Sequence, residues 1–185
     1  MIDGNGPGVV TLGAGDRALA LVAVKAVLRV ASDTEDDLLV AFVETALGLA
    51  ERFLGQVTIA RTMRACFAPA RGWQRISAAP VRAISVVETR AGTPLDPAGY
   101  AIDIDPRGDG WVRVIDPAAD EVVLGFDCGL AADWPGLPGP IRQGVVLLAA
   151  HLFVAREGST PPPLAVTALW RPFRRIAVIA GDHPC

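Results

Sequence analysis

Ser32-Asp33-Thr34-Glu35-Asp36-Asp37-Leu38-Leu39-Val40-Ala41-Phe42-Val43, continuing to Leu54-Gly55, is the stretch on which the fold turns. Ser32 and Glu35 have the spacing of a capping box, in which Ser32 accepts the backbone N–H of residue 35 and Glu35 reaches back. Asp36 and Asp37 follow in the first turn, where the helix dipole favours acids. Leu39, Phe42, Val43, Ala46, Leu49, Ala50 and Phe53 recur at helical spacing and predict one apolar stripe. Gly55 is the natural stop. The segment therefore reads as a helix over 34–54 with one face committed to a core.

Outward from this helix, the chain changes period twice. Upstream, Leu21, Val24, Lys25 and Leu28 predict a shorter helix over 19–30, and the glycine-rich residues 1–18 read as a flexible arm. Gly13-Ala14-Gly15 lacks the third glycine of a dinucleotide loop. Downstream, from Val57, β-branched and aromatic residues in short runs replace the helical pattern: Val57 to Thr62, Trp73 and Ile76, Pro80 to Glu88, Tyr100 to Ile104, Trp111 to Ile115 and Glu121 to Phe126. Turns at Gly92-Thr93-Pro94, Pro106-Arg107-Gly108 and Pro117-Ala118-Ala119 separate them. This is an antiparallel β unit over 57–133.

The helical period returns at Pro140, which suits a first helical turn. Ile141, Val145, Leu148, Leu152 and Phe153 predict a long helix to about Glu157 that packs on the 34–54 helix. A proline-rich link leads to a last short helix within 164–175, broken at Pro172, and residues 177–185 read as a tail. The expected architecture is α+β: a helical bundle over 19–54 and 140–175 with an inserted small antiparallel β unit, together making one body over 19–176.

Composition narrows the function classes. The chain has 185 residues, 51% of them hydrophobic, and a formal net charge of −3. A net acidic chain is a poor candidate for wrapping nucleic acid. Lys25 is the only lysine among 17 basic residues. Cys66, Cys128 and Cys185 form no CxxC pair, and the N-terminus carries no signal-peptide pattern, so a reducing compartment fits best. Ala18 to Val30 is interrupted by Lys25 and Arg29 and is too short to span a bilayer.

Chemistry-bearing residues are scattered. His151 and His183 are the only histidines and lack metal-ligand spacing. A Cys128–His151 dyad has nothing local to activate the thiol. Asp103, Asp105, Asp109, Asp116, Asp120, Glu121 and Asp127 fall mostly in turns, which fits solvated turn acids better than a paired-carboxylate hydrolase. No catalytic, cofactor or metal site is expected. One asymmetry stands out. Residues 61–90 carry six arginines and one acid, and residues 96–133 carry nine acids and two arginines. These segments pair either within the fold or between copies, and the sequence leaves both open.

Several stretches in order resemble a known family. Val24-Lys25-Ala26-Val27-Leu28-Arg29-Val30 followed by Asp36-Asp37-Leu38-Leu39 is similar to the opening of phage and gene transfer agent head–tail connector (adaptor) proteins. Trp73, Pro80-Val81, Ile84, Val86 and Tyr100 resemble their middle. Leu137-Pro138-Gly139-Pro140-Ile141-Arg142-Gln143 and Leu147 to Phe153 resemble their long helix. Pro163-Leu164-Ala165-Val166, Leu169 and Pro172-Phe173-Arg174 resemble their close. The resemblance covers roughly 20–176.

It implies a structural, non-catalytic protein that forms a ring, commonly dodecameric, beneath the portal. The ring bridges portal to stopper or tail-terminator, and DNA passes through it without sequence-specific binding. The implied place is the neck of a particle assembled in the bacterial cytoplasm. Alternatives are another neck or tail-completion protein, or a small hydrolase using the acidic β unit. The partner-binding candidates are Leu164, Val166, Leu169, Trp170, Arg171, Phe173, Arg174 and Arg175. Their apolar members either close the core or anchor on the portal, and their arginines either meet portal acids or face the DNA channel.

Overall fold

The computed structural model describes residues 7–70, 72–115, 121–155 and 161–175. It is an α+β chain of two compact units. Pro7–Ile59 and Ala131–Arg175 build a helical unit, and Ala60–Leu130 build a sheet unit inserted between its halves. The expected tail over 177–185, with His183 and Cys185, lies outside the described residues, as do Asp116, Asp120 and the expected helix end at Glu157.

In the helical unit, α1 spans Ala14–Leu28, α2 Asp36–Leu54, α3 Gly139–Val154 and α4 Leu164–Trp170, followed by a short 3-10 turn, Arg171–Phe173. The arm expected over 1–18 is corrected at its C-terminal end. Residues 14–18 are helical, and the chain before them is tied to α2. Gly8 N–H donates to Glu51 Oε2 at 2.8 Å and Leu12 N–H to Glu44 Oε1 at 2.9 Å, and Leu12 is buried. Asp16 also accepts the Trp134 N–H. These tertiary hydrogen bonds outweigh the roughly 1 kcal/mol that a helical glycine such as Gly15 costs.

The capping box does not form. α2 begins at Asp36 with Glu35 as its N-cap and no side-chain cap. The Ser32 hydroxyl accepts the Thr34 N–H instead. The loop acids are held by Lys25, whose Nζ lies 2.6 Å from Asp33 Oδ1 and 2.8 Å from Asp36 Oδ1. Hydrogen bonding to Asp33, then Asp36, raises the Lys25 ammonium above its ordinary 10.5, and the same contact lowers Asp33 below its ordinary 3.8. The stability from Asp33 is therefore present above its unfolded pKa and lost as pH falls through the acid range. That from Lys25 is present below 10.5 and lost as pH rises beyond it. Lys25→Met is expected to flatten both limbs of the pH profile of the urea midpoint. Unchanged limbs would show that this cluster carries no pH dependence.

At its C-terminus α2 ends as expected, with Gly55 in the left-handed region at φ 67 and its N–H on Glu51 O. The predicted stripe is rotated, however. Leu49 is 44% exposed, and Val40, Leu47 and Leu54 are buried with Leu39, Val43, Ala46 and Ala50. The reason is that α2 touches α1, α3 and α4, so its buried arc is wider than one neighbour requires. Gly48 also lies under the N-terminal strap, where a Cβ would come within 2.6 Å of Gly8 O. α3 is the central helix, touching α1, α2 and α4 and burying Ile141, Val145, Val146, Leu148 and Phe153. The expected packing of α2 on α3 is present, with Phe42 and Phe153 edge to face at 6.4 Å.

Among its described residues the sheet unit holds two three-stranded antiparallel sheets. In the first, β6 (Val122–Cys128) lies between β1 (Arg61–Phe67) and β3 (Val81–Thr89). Val122, Leu124, Phe126 and Cys128 point to the core, and Asp127 and Val123 point away, the period-2 alternation of a half-buried strand. In the second, β5 (Gly110–Val114) lies between β2 (Gln74–Arg75) and β4 (Tyr100–Ile104). Gly110 starts β5 because a Cβ there would lie 2.8 Å from both Ile76 and Val81 side-chain carbons.

Candidate interaction surface

The C-terminal segment divides by burial. Val166 and Trp170 are 2% and 3% exposed, so these two belong to the core and not to an anchor that reaches away. Trp170 Nε1 donates to Ile141 O at 3.1 Å, and its ring lies 5.9 Å from that of Phe53. Gly144 makes the room, since a Cβ there would sit 2.2 Å from Trp170 Nε1. Beyond it, Phe173 O accepts the Gln56 side-chain amide, Arg175 N–H donates to Leu54 O, and the Arg174 guanidinium covers the Phe53 ring at 5.6 Å. Leu169, Phe173 and Arg175 are half-buried. The exposed candidates are Leu164, at 86%, with Arg171 and Arg174. The segment closes the helical core and leaves a small apolar and basic outer surface.

Several acids of the sheet unit are engaged in structure. Asp105 Oδ1 accepts the N–H groups of Arg107 and Asp109, closing the β4–β5 turn. Asp109 also pairs with Arg75 at 3.5 Å, Glu121 with Arg90 at 2.6 Å, and Asp127 accepts the Thr62 hydroxyl. Some of the opposite charge seen along the sequence is thus paired within the unit. Arg64 pairs with Glu88 inside the arginine-rich segment itself. Among the described residues no three His, Cys, Asp or Glu side chains gather as a metal site. Cys128 is buried in β6, and His151 is half-buried in α3. A depression of 390 Å³ is lined by Ala60, Arg61, Thr62, Arg82 and Asp127, and its one acid is the group held by Thr62.

No helix among the described residues is long and apolar enough to cross a membrane. No protein-family model matches the chain, and no curated protein matches it. Solved structures do. A chain from the neck of an empty GTA particle, computed with C6 symmetry, superposes with a TM-score of 0.74 at 25% identity, covering 99% of this chain and 100% of that one. A chain from the neck of a native GTA particle, computed with C12 symmetry, gives 0.70 at 25% over the same shares.

The chain is similar to a gene transfer agent neck component from end to end. A chain from the virion of a native gene transfer agent particle shares the fold at a TM-score of 0.69 and 23% identity, covering 98% of both chains. The head–tail connector resemblance in the sequence is thus matched across the whole fold.

Proposed function

We propose that the chain is a structural head–tail adaptor that forms a ring between the portal and the stopper or tail of a phage-like particle, around the DNA channel. The carrying observation is the end-to-end match to neck chains whose particles were computed with C6 and C12 symmetry. A ring of identical subunits needs heterologous contacts, in which one face meets a different face of the next copy. The net charge of −3 suits DNA as a neighbour and not a ligand. Its work is to bury surface against itself, the portal and the stopper in a neck assembled in the bacterial cytoplasm.

The test is the assembled particle. Tagged chain is expected at several copies per vertex, located at the neck by negative-stain microscopy; a single copy per vertex would sink the ring. On the portal side, the exposed Leu164, Arg171 and Arg174 are the docking residues of this reading. Leu164→Asp with Arg171→Glu is expected to leave the melting curve unchanged and to reduce attachment to portal-bearing heads about tenfold or more. Full attachment by that variant moves the portal contact elsewhere.

A further inference from the structure

Two helices of the helical unit show apolar faces that none of the described residues covers. On α1, Leu19, Val22 and Ala26 fall on one outward stripe, with Leu19 at 49% and Val22 at 67% exposure. The opposite side of α1 buries Ala20 and Val24. On α2, Leu38, Ala41, Thr45 and Leu49 recur at three- and four-residue intervals, and all are exposed. This is the stripe that Leu49 joins because α2 is rotated from its predicted orientation. α1 touches both α2 and α3, and α2 touches both α1 and α3. Three helices in mutual contact form a triangle, so the outward faces of any two diverge. Two divergent apolar faces are what a heterologous repeat needs.

We propose that these faces form the seam between neighbouring copies of this chain, the α1 stripe of one copy seated on the α2 stripe of the next. This rests on the ring reading above. The shapes suit each other. Ala41 and Thr45 make a shallow centre between Leu38 and Leu49, into which the larger Leu19 and Val22 fit. The stripes run about 11 Å on α1 and about 17 Å on α2 at 1.5 Å per residue. Charge sets the direction. Arg29 at the C-terminal end of α1 and Asp37 at the N-terminal end of α2 are exposed, and neither has an ion-pair partner among the described residues. An antiparallel seam brings these two ends together. One helix pair buries less than the roughly 1,600 Å² of a stable complex, so the seam closes where other particle contacts hold the copies side by side.

The experiment is disulfide trapping with Val22→Cys/Thr45→Cys, both positions being exposed. Particles and purified protein are oxidised and run without reductant, beside wild type and each single variant. The expected result is a ladder extending beyond dimer in particles carrying the double variant and absent from the three controls. A dimer from Val22→Cys alone reveals an isologous contact and overturns the seam. A neck that contains several copies but gives no ladder overturns the seam and leaves the adaptor reading standing. Chain absent from the neck overturns the adaptor reading, and a ladder from purified protein then supports the seam alone, whereas its absence removes both. A second variant, Val22→Glu/Leu49→Glu, is expected to keep the wild-type melting curve and to lower incorporation into particles about tenfold or more. Normal incorporation is incompatible with the seam.

Discussion

Trp170→Ala is expected to destabilise the helical unit by about 3–5 kcal/mol, the range for removing a buried large aromatic. The indole is 3% exposed, sits on Gly144, contacts Phe53 and donates to Ile141 O. Its loss opens a cavity between α3 and α4 and removes the indole N–H from the Ile141 carbonyl. Gly144→Ala approaches the same joint from the other side. A methyl 2.2 Å from Nε1 forces the indole outward, at a cost of about 1–3 kcal/mol. Urea unfolding followed by tryptophan fluorescence and circular dichroism measures both. A Trp170→Ala cost below about 1 kcal/mol would show that α4 is not part of the cooperative core. It follows that deleting residues 163–185 unfolds or weakens the unit, so a test of portal docking requires point changes at the exposed Leu164, Arg171 and Arg174.

The second large effect is at Glu51, whose side chain is fully buried. Oε1 accepts the Thr58 N–H at 2.9 Å and hydroxyl at 3.0 Å, and Oε2 accepts the Gly8 N–H at 2.8 Å. One carboxylate thereby ties the end of α2 to the exit of the unit and to the N-terminal strap. Glu51→Ala leaves these donors without their acceptor, at an expected cost of about 3 kcal/mol. Glu51→Gln keeps an oxygen for Thr58 but turns an amide toward Gly8. It is expected to cost less and to loosen the strap selectively. Hydrogen exchange resolves the two: alanine speeds exchange at Gly8 and Thr58, and glutamine at Gly8 alone. Equal protection in all three proteins would remove Glu51 from this role.

How much was legible in the sequence differs from element to element. β4 was readable to the residue, because Tyr100 to Ile104 alternate and sit between strong turn residues. The α2 stop at Gly55 was readable because only a left-handed residue closes that turn cheaply. The start of α2 was not. Ser32 and Glu35 match a local rule, but Lys25, seven residues upstream of Ser32, captured Asp33 and Asp36 and set the loop. Gly48 and Gly144 carried the one unused signal. A glycine inside a helical pattern is unfavourable unless something needs the space, here the strap at Gly8 and the ring of Trp170.

The sequence by itself determined the order of elements, the α+β class and the insertion of the sheet unit between two helical halves. Those follow from periodicity and turn chemistry, which act over a few residues. The inward face of α3 was also readable, since Ile141, Val145, Leu148 and Phe153 are buried as their spacing predicts, but only the tertiary structure decided which side of α2 is inside. Leu47 and Leu49 have the same chemistry and are two residues apart, yet one is fully buried and the other is 44% exposed. A single amphipathic pattern fixes a face toward one neighbour, but α2 has three helices and a strap around it. The same holds at the C-terminus, where Trp170 and Leu164 share one short helix. One fills the space over Gly144, and the other lies outside, because burial is set by the neighbour that arrives and not by the residue that waits.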